Sequence, residues 1–397
     1  MGFGSRLILD LYSDGLKADK ISTKLLTIET KNWQFGPKYM MPVIEVVEHM
    51  TAGAETLEPG RYLIAHAEEL KGSLASIKVE GITNLKSGLE QEENGDIYLV
   101  LGSVRGASEI VWAGGVSNVW DYANTENFYV LSDETQTPDV FVENDVINFT
   151  DEAKNANTSS KTITVSLKSG EELPAGSIHV NNDTYNYIFN GAGIIKSGEL
   201  VKEGKGTLTM GNDNTYTGGN HLKGGVVKVS SLSNSTQAYG NLGGVTTKAA
   251  DFTIEDGATL QITAAAKMGS PIQTKGEEGG IINNSGTLTM EKLITGTKLT
   301  KQGAGTFVMQ GSLGTTSLVV EAGTFDYGTA YTRTTTLRGT GKLSGSAFLS
   351  TPIVVEKGAK AELWGVNRAT SSNKITGEGQ ITIYCATEKG GSGNNIY

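Results

Sequence analysis

The chain has 397 residues, with glycine at 52 of them, proline at 7, a single cysteine and a formal net charge of −10. That glycine content is well above the usual ~7% and, with so little proline, suits a fold of many turns and many paired strands. The acidic balance offers no basic stripe to displace counterions, so nucleic acid is excluded as a partner. One cysteine, Cys385, excludes both an internal disulfide framework and a CxxC metal site.

In chain order, residues 1–104 are expected to form an N-terminal β-rich segment of solenoid rungs. "RLILDLY", "LLTIET", "PVIEVVEHM", "GRYLIAHA" and "IYLVLGSV" are short runs rich in Ile, Val, Leu and Tyr. Asn94-Gly95 signals a two-residue hairpin turn, and only Ala65–Leu70 hints at helical periodicity. The opening "MGFGSRLILDLYSDG" lacks the apolar run of a signal peptide, because Asp10 interrupts it. Any export signal is expected to have been removed or to lie upstream, so that the chain is a monomer or a fragment of a longer one. No run approaches the ~20 apolar residues of a membrane helix.

Residues 105–190 form a Trp/Asn-rich lead-in with strands, containing Trp112 and Trp120. From 191 to 397 the chain repeats itself. "ELVKEGKGTLTMGNDNTYTGGNHLKGGVVKV" (199–229) aligns with "KLTKQGAGTFVMQGSLGTTSLVVEAGTFDY" (298–327). Leu200 matches Leu299, Lys202 matches Lys301, and Gly204 and Gly206 match Gly303 and Gly305. Leu208 matches Phe307, Met210 matches Met309, and Gly225 matches Gly323 after one gap. Shorter echoes are "DGATLQI", "SGTLTM", "LRGTGKLSG", "KGAKAEL" and "KITGEGQITI". A glycine that turns the chain, followed by a strand with every second side chain inward, is a unit that buries its apolar face only when stacked. These residues predict an all-β solenoid.

The residues of 199–229 closely resemble the autotransporter-associated β-strand repeat, also called the passenger-associated transport repeat. The fit runs through Leu200, Lys202, Gly204, Gly206, Thr207, Leu208 and Thr209, then Asn214, Thr215, Tyr216, Thr217, Gly218, Gly219, Gly224 and Gly225. The second copy departs from it where "GSLGTTS" replaces the Asn-Thr-Tyr-Thr-Gly turn. Trp112, Gly114, Trp120, Asp121, Asn127, Phe128, Asp145, Ile147 and Phe149 resemble the segment that precedes such repeats. The piece before it resembles the closing part of a preceding array. The resemblance implies a right-handed parallel β-helix, pectin-lyase-like and elongated with irregular loops. It also implies a secreted or surface-displayed passenger of a Gram-negative bacterium.

Motifs for chemistry fail one by one. Thr209 stands where a dinucleotide fingerprint needs its third glycine, and a P-loop is absent. The stretch from Asp213 has Gly224 at the twelfth position, not the bidentate Glu of a calcium loop. His49, His66, His179 and His221 are scattered without zinc spacing. Glu90, Glu92, Glu93 and Asp96 read as a solvated acidic turn before they read as a weak cation site, and Cys385 reads as an unremarkable strand cysteine. Trp112, Trp120 and Trp364 are candidate sugar platforms, with core packing the favoured reading for the first two. The sequons at Asn148, Asn182 and Asn234 say nothing about glycosylation. No catalytic, metal or cofactor residue is assigned, no cofactor is expected, and the ligand-binding residues stay unknown. The expectation is a non-catalytic structural or adhesive passenger contacting glycans or host surfaces. The alternative is a β-helix polysaccharide lyase or glycoside hydrolase, whose two carboxylates would have to meet across rungs.

Overall fold

A computed structural model describes residues 6–12, 17–28, 43–49, 57, 60–74, 77–82, 85–92, 94–103, 105–327, 334–345, 351–364 and 374–384. Cys385 and Glu93 lie outside the described residues. The chain divides into two units, Met1–Gly106 and Ala107–Tyr397, so the Trp/Asn-rich segment shares a unit with the repeats.

The first unit pairs strands in both senses. Arg6–Tyr12 runs parallel to Val43–His49, and Val43–His49 parallel to Lys78–Glu80. In a second sheet Ile21–Thr27 is parallel to Gly60–Lys71, whereas Gly60–Lys71, Asp96–Ser103 and Leu85–Gln91 are antiparallel neighbours. Leu9, Leu11, Ile44, Val46, Tyr62, Ile64, Ala67, Ile97, Leu99 and Leu101 form its core. The helical hint at Ala65–Leu70 is overruled: those residues continue the strand Gly60–Lys71, paired on both sides. The hairpin signalled by Asn94-Gly95 forms, but it closes on Glu92 N–H donating to Asp96 C=O. Gly95 sits at φ +90 inside that pair, so the loop is one residue longer than a two-residue turn.

The second unit is built of parallel ladders. A first ladder stacks Val146–Phe149, Ser177–Asn181, Leu200–Glu203, Asn220–Leu222, Phe252–Glu255 and Ile272–Lys275. A second stacks Thr162–Leu167, Asn186–Gly191, Thr207–Met210, Val226–Val229, Thr259–Ile262 and Gly280–Asn284. The long strands Ile294–Gln302 and Leu313–Val320 extend both ladders, bending between them. The second ladder then continues through Thr334–Leu337, Ile353–Val355 and Ile375–Gly377. A third stacks Ala266–Met268, Leu288–Met290, Thr306–Met309, Thr324–Asp326, Lys342–Ser344, Lys360–Trp364 and Gln380–Tyr384.

Alternation explains the core. In Thr207–Met210, Val226–Val229, Thr259–Ile262 and Thr306–Met309 every second side chain is buried, and these side chains join one continuous apolar cluster. No single rung covers its own inner face; the rungs above and below do it. The start of this unit is closed differently. Phe128–Val130 lies antiparallel to Glu109–Trp112, and an aromatic cluster of Trp112, Trp120, Phe128, Phe141, Phe149, Tyr187 and Phe189 fills the space behind it.

Candidate functional site

The residues that the repeat fixes converge on a corner. In the first copy the chain leaves the first ladder at Glu203, turns through Gly204-Lys205-Gly206, and enters the second ladder at Thr207. In the second copy it leaves the second ladder at Gln302, turns through Gly303-Ala304-Gly305, and enters the third at Thr306. The same motif therefore builds two different corners of the stack.

Both corners use the same contacts. Gly204 at φ +69 and Gly303 at φ +79 adopt a backbone that disfavours any Cβ. A Cβ on Gly204 would lie 2.4 Å from Asn182 C=O, and one on Gly303 would lie 2.4 Å from Asn284 C=O. On the next rung a Cβ on Gly225 would meet Gly206 C=O at 2.3 Å, and one on Gly323 would meet Gly303 C=O at 2.4 Å. The glycines are stacked backbone on backbone, which answers why they recur.

Each corner is tied by two buried polar side chains. Lys202 and Lys301 alternate inward with Leu200 and Leu299, and all four are fully buried. Lys202 Nζ donates to the carbonyls of Glu203 and Gly204. Lys301 Nζ donates to those of Gln302 (2.6 Å), Gly303 (2.7 Å) and Ala322 (3.1 Å). The ammonium thus satisfies carbonyls that the turn removes from the ladders. Asn182 and Asn284 do the same from the rung below: Asn182 Nδ2 donates to Tyr185 and Thr207 carbonyls, and Asn284 Nδ2 to Gly286 and Thr306 carbonyls. These asparagines escape a sequence reading, although "VNND" (180–183) and "INNS" (282–285) precede the two copies at a similar distance.

Burial pulls both lysines down from 10.5 to about 8, opposed at Lys202 by the charges of Asp183, Asp151 and Glu203. Below pH 8 folded and unfolded chains are both protonated at these sites. Between pH 8 and 10.5 the unfolded chain binds more protons, so stability rises with pH in that interval. The stability read from urea unfolding is expected to rise between pH 7.5 and 9.5, by roughly 2 kcal/mol per lysine. A K202M/K301M variant should lose that rise; a wild-type stability that follows the variant's through the interval contradicts the assignment.

The Asn-Thr-Tyr-Thr-Gly turn, present in the first copy alone, forms a buried amide network. Asn214 Oδ1 accepts from Ile195 N–H and Asn212 Nδ2, and its Nδ2 donates to Asn212 and Asn241 carbonyls. Tyr216 Oη donates to Asn220 Oδ1 at 2.8 Å. Where the second copy has "GSLGTTS", Leu313–Val320 instead runs through as one strand.

The passenger-associated-transport-repeat family model matches residues 200–229 and 299–326. The chain carries this repeat twice. The matched segments coincide with the two corners just described. No curated protein and no solved structure matches the chain.

The structure leaves the other candidates apart. Trp112 and Trp120 are fully buried and present no platform; Trp112 Nε1 donates to Asn155 Oδ1. Asp121 and Asn127 are buried turn caps: Asp121 accepts from Thr125 N–H and Oγ1, and Asn127 Oδ1 accepts from Val116 and Ser117 N–H. Asp145 accepts from Ser108 and Val142 N–H. Glu90 and Glu92 pair with Arg61, and Asp96 with His66, whose ring holds the carboxyl below its ordinary range. His49 meets Asp10, His221 meets Thr253 and Glu199, and His179 lies in its own strand, so no two histidines share a site. Asp213 accepts from Ser231 Oγ and Asn241 Nδ2. Among the described residues no three His, Cys, Asp or Glu side chains gather as a metal would need, and no helix is long and apolar enough to cross a membrane. Trp364 alone of the three tryptophans named above is exposed.

Proposed function

We propose that this chain is the passenger region of an exported Gram-negative surface protein. It is a right-handed parallel β-helix that serves as a structural or adhesive scaffold and carries out no reaction of its own. One observation carries this reading: the core residues, lysines and glycines that the two copies hold in common are consumed by corner building. The leucines, Phe307 and the methionines fill the core, the lysines are bound by carbonyls, and the glycines stack. A motif so used specifies stacking, as a passenger needs.

Fractionation of cells producing the full-length protein, with protease shaving of intact cells, tests the reading. The protein is expected outside the cell or shaved from its surface; recovery in the cytoplasm overturns the proposal. A polysaccharide panel assayed for new reducing ends and unsaturated products should give no turnover. Turnover abolished by changing one carboxylate would replace the scaffold with a lyase or hydrolase.

A further inference from the structure

The third ladder begins at Ala266–Met268, which pairs with Leu288–Met290 on one side and with no described strand on the other. Two bonds tie this stretch to the rung before it: Thr263 N–H donates to Val229 C=O and Gly269 N–H to Ser233 C=O, each at 2.9 Å. Between the ties the two rungs part. Residues 230–232 turn away, because Asn241 Oδ1 accepts from Ser230 N–H at 2.8 Å and from Ser231 N–H at 2.9 Å. This opens a cleft of about 470 Å³, with Ser231, Leu232, Thr236 and Gln237 on one wall and Ala265 and Lys267 on the other. Its lining lies wholly within the continuously described residues 105–327.

The strand wall is a bare edge. Ala266 N–H donates to Thr287 C=O and Met268 C=O accepts from Glu291 N–H, so both residues bond toward the ladder. Backbone groups alternate along a strand, so Lys267 N–H and C=O face the cleft. Ala264 and Ala265 are exposed and too short to screen that edge. The width of the cleft is fixed. Besides the two ties, Ser235 N–H and Oγ donate to Glu291 Oε2 and Oε1 at 2.9 and 2.8 Å, which straps the turn above the cleft to the neighbouring strand. That turn is closed on Asn234 Oδ1, which accepts from Thr236 and Gln237 N–H. Lys267 is exposed, and its ammonium has no partner among the described residues. Glu291 is held by Ser235 instead.

We propose that this cleft takes an extended peptide segment of a partner protein, added as a strand beside Lys267, with an acidic side chain next to the Lys267 ammonium. Main-chain bonds to Lys267 supply the fit, and a cleft of fixed width spares much of the ordering cost. Opposite charges on neighbouring strands favour pairing and like charges oppose it, so the lysine selects acidic over basic segments. The site goes beyond the scaffold reading and does not depend on it.

Hydrogen exchange of the whole chain, with and without the probe peptide acetyl-TVDVT-amide, tests this. The charge control is acetyl-TVKVT-amide, and the backbone control is the acidic peptide N-methylated at its three central residues. Exchange across residues 264–268 is expected to be fast in the free protein and to slow about fivefold with an excess of the acidic peptide. Neither control should slow it as much. K267E should reverse the preference to the basic peptide. K267P should abolish protection by both peptides, and an edge strand tolerates it because the lost N–H bonds nothing in the fold. Where K267P unfolds the edge, K267E still decides. Protection already present in the free chain, none from the acidic peptide, equal protection by the N-methylated form, or an unchanged preference in K267E overturns the proposal. So does sedimentation of a dimer that K267E dissociates, which gives the edge to a second copy. A surface-displayed protein that fails this test keeps the scaffold reading and loses the site.

Discussion

Gly303→Ala is expected to destabilise the second unit by about 3 kcal/mol, and Gly358→Ala by only about 1 kcal/mol. Both glycines have positive φ, +79 and +83. Both substitutions therefore carry the cost of placing a Cβ in the left-handed region. They differ in what the Cβ meets. At Gly303 it lies 2.4 Å from the Asn284 carbonyl oxygen and 2.6 Å from Asn283 Oδ1; at Gly358 nothing among the described residues lies within 4 Å. Backbone cannot yield as a flexible side chain can, so at Gly303 the rung must shift and the ladder bonds around it weaken. Urea unfolding of the two variants side by side reads the difference. Equal losses would mean that the corner glycines serve φ alone and that their stacking contributes nothing.

Trp120→Ala is expected to cost about 3–5 kcal/mol, the range for deleting a buried aromatic from a packed cluster. Trp120 is fully buried and lies edge-on to Phe141 and Phe189, at 5.5 and 6.1 Å between centroids. It links the rings of the closing strand Phe128–Val130 to those of the first rungs, Phe149 and Phe189. Its loss should therefore expose the start of the stack. Trp120→Phe should cost less, about 1–2 kcal/mol, because Trp120 Nε1 makes no hydrogen bond among the described residues. Trp112→Phe should cost more than Trp120→Phe, because it also strands Asn155 Oδ1. Near-UV circular dichroism followed through denaturant unfolding gives all three values. A Trp120→Ala protein as stable as wild type would remove the aromatic cluster as a cap.

Much of this was open to a reader of the chain alone. The alternation in "TLTM", "TLQI" and "TFVM" is periodicity two, and burial follows it residue for residue. The paired glycines of the two repeats are legible because φ and close approach leave no other residue type. The tryptophans of the lead-in pack as core, as their place among apolar strands predicts. Other features could not be read. An inward lysine looks the same in sequence as an outward one, and only the carbonyls around Lys202 and Lys301 make its burial tolerable. The hairpin around Gly95 took its length from the pairing of Glu92 with Asp96, which a dipeptide signal does not specify.

By itself the sequence determined the strand faces, the turn glycines and the fact of repetition, because these follow from local sterics and the two-residue period of a strand. Tertiary structure alone decided that the two repeats occupy different corners, one between the first and second ladders and one between the second and third. It alone decided that Asn182 and Asn284, outside the repeated text, hold those corners from below. The reason is physical: a turn motif specifies only how the chain bends, whereas the circuit on which the bend falls depends on the length of every circuit before it.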